Sequence, residues 1–251
     1  MLLTLVVSSL IAGGRGEVRL SANLRAAAVA EALADGAVHE AIFRLLDPSE
    51  AGWRADGTVR AMALPGGRVA LRIEDQAGLV NPNTVSDALM QALLRRAGAD
   101  QRQAQSITAA IADWRFPSAA PRPLGAKAPQ YAQAGLGYGP PEAPFRSVGE
   151  VALVLGMTPA LFDRLAPHLT VWREGDPEPA LASPLVRDAI GDVTGSRNFA
   201  PPAQGGLRVL AISASAIGGE GGRFTRRAVV RLGSALAGRP YRILAWDRTD
   251  D

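Results

Sequence analysis

The sequence predicts an α+β fold in which a long N-terminal helix packs on an antiparallel sheet and a helical block interrupts the strands. Apolar residues recur at helical spacing from the start of the chain to Leu46. Strand-like alternation of apolar and polar residues occupies 58–74 and returns at 207–246. Helical spacing fills the region between these two segments. Because the strand-rich segments need each other to close one sheet, an insertion is the simplest topology.

Three consecutive domains are the alternative topology. They would leave the predicted hairpin at 58–74 without a sheet to join, and an isolated hairpin is marginally stable in water.

The N-terminal segment Met1–Gly14 is apolar and uncharged, with the sequence MLLTLVVSSLIAGG. It lacks the basic residues that open a signal peptide, and it falls short of the roughly 20 apolar residues of a spanning helix. No proline separates it from the amphipathic run that follows, so we predict one helix from the start to Leu46. Its first part is expected to be a membrane anchor, and Val38, Ile42 and Leu46 are expected to seat its second part on the sheet. A buried helix or an uncleaved signal is the alternative.

Caps, turns and helix breakers predict the limits of the other elements. Asp47-Pro48-Ser49 ends the first helix, Pro65-Gly66-Gly67 joins the first two strands, and Thr84 and Ser86 are candidate helix caps. The predicted elements are strands at 58–64 and 68–74, helices at 84–98, 101–114 and 180–190, a loop from 117 to 144, and strands at 207–217, 224–232 and 240–246.

The block Ala143–Trp172 predicts two short helices around the turn Gly156–Pro159, with Thr158 as the cap of the second helix. A glycine turn between two short helices also resembles the helix-hairpin-helix of DNA-binding proteins, where backbone N–H groups bind phosphate. No basic residue lies between Val148 and Leu161, and basic charge supplies most non-specific affinity for DNA. A structural or protein-binding role is therefore favoured, and a helix-hairpin-helix DNA-binding protein of competence type is the alternative.

The composition argues against several classes of function. The chain is 47% hydrophobic and 20% charged, which is ordinary for a globular protein, and its net charge of +3 is too small to indicate nucleic-acid binding by itself. Lysine is nearly absent and cysteine is absent, so disulfides and thiolate metal sites are excluded. His39 is expected on the solvent side of the first helix, and His168 at a helix end that favours a cation. We assign no catalytic and no cofactor-binding residue.

Two more groups of residues have ordinary structural explanations. Ser213 and Ser215 lie in a predicted strand without a nucleophile elbow, so a secreted hydrolase is the weakest alternative. Arginines of the penultimate strand are expected on a solvated sheet face, and tryptophans near element ends are expected to pack in the core. These are Arg223, Arg226, Arg227 and Arg231, and Trp114, Trp172 and Trp246.

Four stretches of the chain carry a family resemblance. They are RIEDQAGLVNPNT (72–84), AIADWRFP (110–117), GLGYGPPEAPFRSVGEVALVLGMTPALFDRLAPHLTVW (135–172) and RRAVVRLGSALAGRPYRILAWDR (226–248). With them the chain resembles the general secretion pathway protein K family, the large minor pseudopilin of type II secretion systems. The resemblance implies a pilin-like fold with a large all-α domain, of SAM or helix-hairpin-helix type, inserted between strands. It also implies a non-catalytic role in the inner membrane and periplasm, at the pseudopilus tip, with two other minor pseudopilins and the major pseudopilin as partners.

On this resemblance the chain is expected to have four parts: a remnant of the membrane-anchor helix at 1–14, a first pseudopilin segment at 15–80, an inserted helical domain at 81–195 and a second pseudopilin segment at 196–251. Family precursors carry a basic leader ahead of the apolar helix, and whether one lies upstream of Met1 stays open. Calcium-binding members use clustered acids, whereas this chain has Lys127 and Ala128 where acids often stand, so calcium also stays open. The acids that could supply oxygen ligands are Asp75, Asp113, Asp176, Glu178 and Asp192.

Overall fold

The computed structural model describes residues 2–118, 120–196, 198–199, 207–236 and 238–249, with the backbone alone for 2–18 and 234–236. The chain divides into two compact units. The first comprises Met1–Asp75 and Leu207–Asp251, and the second comprises Gln76–Gly206. The second unit is therefore an insertion in the sequence of the first, and the α+β architecture of a helix with an antiparallel sheet is confirmed.

The first unit begins with helix α1, Leu2–Leu46. Its buried positions recur every three or four residues and include many alanines, whose small side chains let the helix approach the sheet closely. Val38 and Ile42 are buried as predicted, but Leu46 is 37% exposed. Eight residues turn a helix by about 80° beyond two full turns, so Leu46 has rotated away from the face of Val38. The buried positions are Ala26, Ala30, Leu33, Ala34, Ala37, Val38, Ala41 and Ile42.

Five strands of the first unit form one antiparallel sheet in sequential order. The second and third strands pair directly although the inserted unit separates them in sequence, with Leu71 opposite Ala214. Residues of alternating strand positions pack against α1 and form one hydrophobic core. The strands are β1 (Asp56–Leu64), β2 (Gly67–Asp75), β3 (Arg208–Gly218), β4 (Arg223–Leu236) and β5 (Arg239–Thr249).

The second unit is helical, and side-chain caps begin most of its helices. Ser86, Asp100, Thr158 and Ser183 each accept a hydrogen bond from a backbone N–H in the first turn, which satisfies one of the free donors there. The helices are α2 (Asp87–Arg96), α3 (Gln101–Arg115), α4 (Ala128–Gln133), α5 (Pro159–Leu165) and α6 (Pro184–Thr194).

Three predictions for this unit need correction. The expected loop 117–144 contains α4, because Pro129 suits a first helical turn and the Gln130 side chain accepts a hydrogen bond from the Lys127 N–H at 2.9 Å. The segment before the Gly156 turn is a 3₁₀ helix, Val148–Leu153, rather than an α-helix. The last helix begins after Ser183, four residues later than predicted from its apolar spacing, because Ser183 and Pro184 provide the start signal.

The core of the second unit joins its helices through large apolar side chains. Leu93 and Leu94 of α2 contact the same cluster as Ile107 of α3 and Leu165 of α5. A short parallel bridge crosses this unit where the Val80 N–H donates to the His168 carbonyl at 2.9 Å and the Thr170 N–H donates to the Val80 carbonyl at 2.9 Å. In the described part of the chain, no helix is both long and apolar enough to cross a membrane.

Candidate functional site

The outward face of α1 is the candidate interaction surface of the first unit. Leu20, Leu24 and Phe43 are 60%, 63% and 64% exposed. Residues 19–25 are all exposed, because burial against the sheet begins only at Ala26. Single exposed apolar residues are common, but several along one helix indicate a protein contact. Leu20 and Leu24 follow the same helix side as Val38 and Ile42 and are exposed because they precede the first buried residue, whereas Leu46 and Phe43 are turned away from that side. We call the exposed apolar residues Leu20, Leu24, Phe43 and Leu46 together the outward α1 face.

A cluster of charged and aromatic side chains around Arg226 joins α1 to the sheet. The Arg226 guanidinium on β4 donates from Nε to Asp35 at 2.6 Å and from Nη2 to Glu31 at 2.8 Å. It also lies over the rings of Phe224 and Trp246, at 4.7 Å and 5.3 Å from their centroids. Desolvation lowers the pKa of Arg226, but the hydrogen bonds and charges of Asp35 and Glu31 outweigh it and raise that pKa.

Arg226 corrects a sequence-based prediction. The arginines of β4 were expected on a solvated sheet face, and Arg227 is exposed, whereas the Arg226 side chain is only 9% exposed. Neighbouring residues of a strand face opposite sides of a sheet, so one of the two had to face α1. The acids at positions 31 and 35 of α1 are the signal that could have identified Arg226, because they lie one helical turn apart on one helix face.

The acidic residues considered as metal ligands are not brought together. Asp75 accepts from Arg208 at 3.0 Å, and Asp113 accepts from the backbone N–H of Arg122 at 3.0 Å. Among the residues that the structure describes, no group of three histidine, cysteine, aspartate or glutamate side chains could hold a metal ion. Of the other three candidates, Glu178 pairs with Arg173, Asp192 pairs with Arg96, and Asp176 offers its carbonyl oxygen to Arg173.

The position where the family resemblance raised calcium carries a buried ammonium group. Lys127 is 5% exposed, and its Nζ donates to the carbonyls of Asp113 and Phe116 and to the Glu142 carboxylate. These oxygens are of the type that calcium prefers, but the Lys127 cation already occupies the point on which they converge. A resident calcium ion therefore does not fit this arrangement of residues.

The two histidines have structural surroundings. His39 is exposed, as predicted, and its ring lies 5.3 Å from that of Trp246. His168 was expected to suit a positive charge at a helix end, but burial lowers its pKa and favours the neutral ring. Its Nδ1 lies 3.0 Å from the hydroxyl of Ser183, the N-cap of α6.

The turn Gly156–Pro159 packs inside its own unit. Gly156 has a φ of +88°, and a Cβ there would lie 3.3 Å from the Ile107 side chain on α3. Thr158 caps α5 by accepting from the Leu161 N–H at 3.3 Å, as predicted. The nearest basic residue after the turn, Arg164, has its guanidinium against Gly98. The turn therefore contributes to packing, and its geometry gives no support to phosphate binding.

Aromatic residues near Lys127 pack against one another in this unit. Trp114 is 3% exposed, in agreement with the core role predicted for it, and it stacks on Phe145 with ring centroids 5.4 Å apart. Tyr131 of α4 is fully buried, and its hydroxyl accepts from the Leu155 N–H at 2.9 Å. Burial raises the pKa of Tyr131 to about 12.

Comparisons with known proteins agree with this architecture. Residues 69–174 match the family model described as type II secretion system (T2SS), protein K. The chain is also similar to a chain in the crystal structure of the GspK-GspI-GspJ complex from the type 2 secretion system of enterotoxigenic Escherichia coli. That match has a TM-score of 0.68 and 14% identity, and it covers 95% of this chain and 99% of the other. A comparison with curated protein sequences finds no match.

Proposed function

We propose that the chain is a minor pseudopilin with a structural role at the tip of a secretion pseudopilus. The proposal starts from the match of residues 69–174 to the type II secretion protein K family model. The observation that carries the proposal is the agreement of two independent comparisons. The family match covers most of β2 and most of the inserted helical segment, and the fold match covers 95% of this chain. The role is assembly of the export apparatus, and it requires no catalytic residue and no cofactor.

The outward α1 face supplies the contact with other pilin-like proteins. Helices pack on each other through apolar side chains at positions three and four apart, and Leu20 and Leu24 have that spacing. The crystallised GspK is in a complex with GspI and GspJ, so we assign two corresponding minor pseudopilins as partners of this chain. The major pseudopilin would contact the same helix further along the filament.

The N-terminal segment is assigned as the anchor in the inner membrane, with the rest of the chain in the periplasm. The support is the uncharged apolar sequence from Met1 to Gly14, of which residues 2–14 form the first part of α1. In this assignment 15–80 and 196–251 form the pseudopilin core and 81–195 is the inserted helical domain. No nucleic acid is expected as a partner, because the turn at Gly156 lacks adjacent basic side chains.

The proposal is tested by co-expression with the pilin-like proteins encoded beside this chain in its genome. The full chain should co-purify with two of them. Leu24→Glu and Phe43→Glu each place a charge where an apolar side chain would be buried. Burial of one such side chain contributes about 1.5–3 kcal/mol. The affinity of each variant for the partner should therefore be lower by about tenfold or more.

Ala70→Glu is the matched control. Ala70 is exposed on β2, so the substitution adds the same charge at a position outside α1. It should co-purify as the wild type does. Partner binding that is unchanged in both α1 variants would remove the outward α1 face from the proposal. The proposed function itself would be overturned if the chain co-purified with none of the pilin-like proteins and instead bound duplex DNA with a steep salt dependence.

A further inference from the structure

Lys127 is the one lysine in a chain with 26 arginines. Lysine and arginine differ in the geometry of their donors, so the surroundings of this single lysine bear on why it is not an arginine. The residue is 5% exposed, although lysine is almost never fully buried unless its charge is paired. Its surroundings therefore need to account for both the choice of lysine and its burial.

Three oxygen atoms converge on the Lys127 ammonium. Nζ lies 2.9 Å from the Asp113 carbonyl oxygen, 2.6 Å from the Phe116 carbonyl oxygen and 3.0 Å from Glu142 Oε1. An ammonium group has three N–H donors around a compact charge, so it can serve all three acceptors. The planar guanidinium of arginine directs its donors along a fork and does not match oxygens that converge on a point.

Two of these oxygens come from the C-terminal end of α3, where helix carbonyls lack their usual donors. The Asp113 carbonyl would accept from the N–H of residue 117, but that residue is proline and has none. A cation at a helix C-terminus also compensates the negative end of the helix dipole. Lys127 thus supplies a donor at the position where the sequence removes one.

Residues further along the chain also contact the C-terminal end of α3. Glu142 has a φ of +56°, in the left-handed region that non-glycine residues rarely adopt, so its contacts must hold it there. Its carboxylate pairs with Lys127, and the next residue, Ala143, donates its N–H to the Trp114 carbonyl at 3.1 Å. The end of α3 therefore receives donors from two separate points of the downstream chain.

We infer that Lys127 is a built-in cation that fastens the segment between Phe116 and Ala143 to the end of α3, in the role that a bound metal ion would otherwise fill. The oxygens on Nζ number three, whereas calcium takes six to eight. The Asp113 carboxylate is held by the Arg122 N–H and by close packing against Gly125, so it does not complete a metal site. The inference predicts that this part of the protein is indifferent to calcium, independently of partner binding.

The test uses the full chain in mild detergent, with hydrogen exchange of peptides from 110 to 145 read by mass spectrometry. For the wild type, exchange should be the same with a chelator and with about 5 mM calcium, which exceeds the dissociation constants of weak extracellular sites. Lys127→Met keeps most of the length of the apolar stem but removes the donors, and exchange in these peptides should accelerate about tenfold or more. Glu142→Gln leaves the two backbone carbonyl acceptors in place and removes only the negative charge of the third, so it should show a smaller acceleration in the same peptides.

Arg122→Met is the matched control, because Arg122 is a basic residue of the same segment whose side chain is 46% exposed. It should exchange as the wild type does. The single lysine provides a second readout, since an amine-reactive label should modify its side chain slowly in the folded protein, with or without calcium. Protection by calcium, faster labelling in calcium, or wild-type exchange in Lys127→Met would each overturn the inference.

Discussion

Arg226 donates a hydrogen bond to Asp35 at 2.6 Å although the two residues are 191 positions apart in sequence. The bond joins β4 to α1, and Glu31 accepts from the same guanidinium one helical turn earlier. Most of the buried residues of α1 are alanines, whose small side chains offer only shallow ridges for packing against the sheet. The two directed bonds from Arg226 therefore select one rotation of α1 on the sheet.

Replacing Arg226 by methionine tests the importance of this cluster. The apolar side chain keeps part of the packing against Phe224 and Trp246 but leaves Asp35 without its charged partner. Hydrogen bonds to charged groups contribute about 1.5–3 kcal/mol, so the free energy of unfolding of the first unit should fall by about 2–3 kcal/mol. Hydrogen exchange of β3 and β4 peptides at increasing urea concentration measures the free energy of unfolding of the first unit alone.

Arg227→Met is the control for that experiment, because Arg227 is the next residue of the strand and is exposed. Its effect should stay within about 0.5 kcal/mol, as for most surface substitutions. Equal stability of the Arg226 and Arg227 variants would show that the cluster does not hold the helix.

Gly222 marks the closest approach of the β3–β4 connection to α1. A Cβ at this position would lie 2.2 Å from the Ala26 carbonyl oxygen, a backbone atom, so one of the two backbone segments would have to shift. Gly222→Ala should therefore destabilise the first unit by about 1–3 kcal/mol, the usual cost of overpacking. The same exchange measurement reports it.

Gly219→Ala is the comparison, since a Cβ there would meet its nearest atom at an ordinary 3.6 Å. A glycine-to-alanine change without strain stabilises by about 0.4–1 kcal/mol through the unfolded chain. A Gly222 variant as stable as the Gly219 variant would contradict the close approach.

The fold could be predicted from the sequence wherever one face of an element is buried. Val38 and Ile42 of α1, and the alternation in β2, report burial directly through their spacing. Leu46 shows the limit of this signal, because an apolar residue at the end of a helix is placed by the extent of the sheet, which the helix sequence does not contain. The sequence predicts a loop at the position of α4, because six residues with one proline carry too few positions to show a helical period.

The polar contacts were much less predictable. Nothing near Lys127 in sequence indicates Glu142 as its partner, since the pair depends on how the chain returns to the end of α3. The scarcity of lysine was visible in the composition and was the available signal. Arg226 and Asp35 belong to elements at opposite ends of the sequence, so their pairing follows only from the assembled sheet.

Tyr131 combines complete burial with a hydroxyl that serves a backbone donor. Tyr131→Phe keeps the ring but leaves the Leu155 N–H without its acceptor, which should cost about 1–3 kcal/mol of unfolding free energy in the second unit. Tyr138→Phe is the control, because Tyr138 is 43% exposed. In a spectrophotometric titration the Tyr131 variant should also lose the tyrosine that ionises at about 12. Retention of that late transition, or a stability equal to that of the Tyr138 variant, would count against the assignment.

His168 should make the second unit sensitive to mild acid. Burial lowers its pKa below the ordinary 6.5, so the unfolded chain binds a proton more readily than the folded chain does. The stabilising contribution is complete above pH 6.5 and is lost as the pH falls through the folded pKa, with a slope of at most about 1.4 kcal/mol per pH unit. The Val80 N–H donates to the His168 carbonyl, so exchange of that amide between pH 7.5 and 5.5, corrected for intrinsic rates, is a local measure.

The difference between two variants isolates the contribution of His168 from that of other acidic and basic groups. His168→Gln should flatten the pH dependence of the Val80 amide, because glutamine has no proton to take up in this range. His39→Gln should leave it unchanged, since His39 belongs to the first unit and lies beside Trp246. A pH dependence that survives in His168→Gln would assign the acid sensitivity of the second unit to another group.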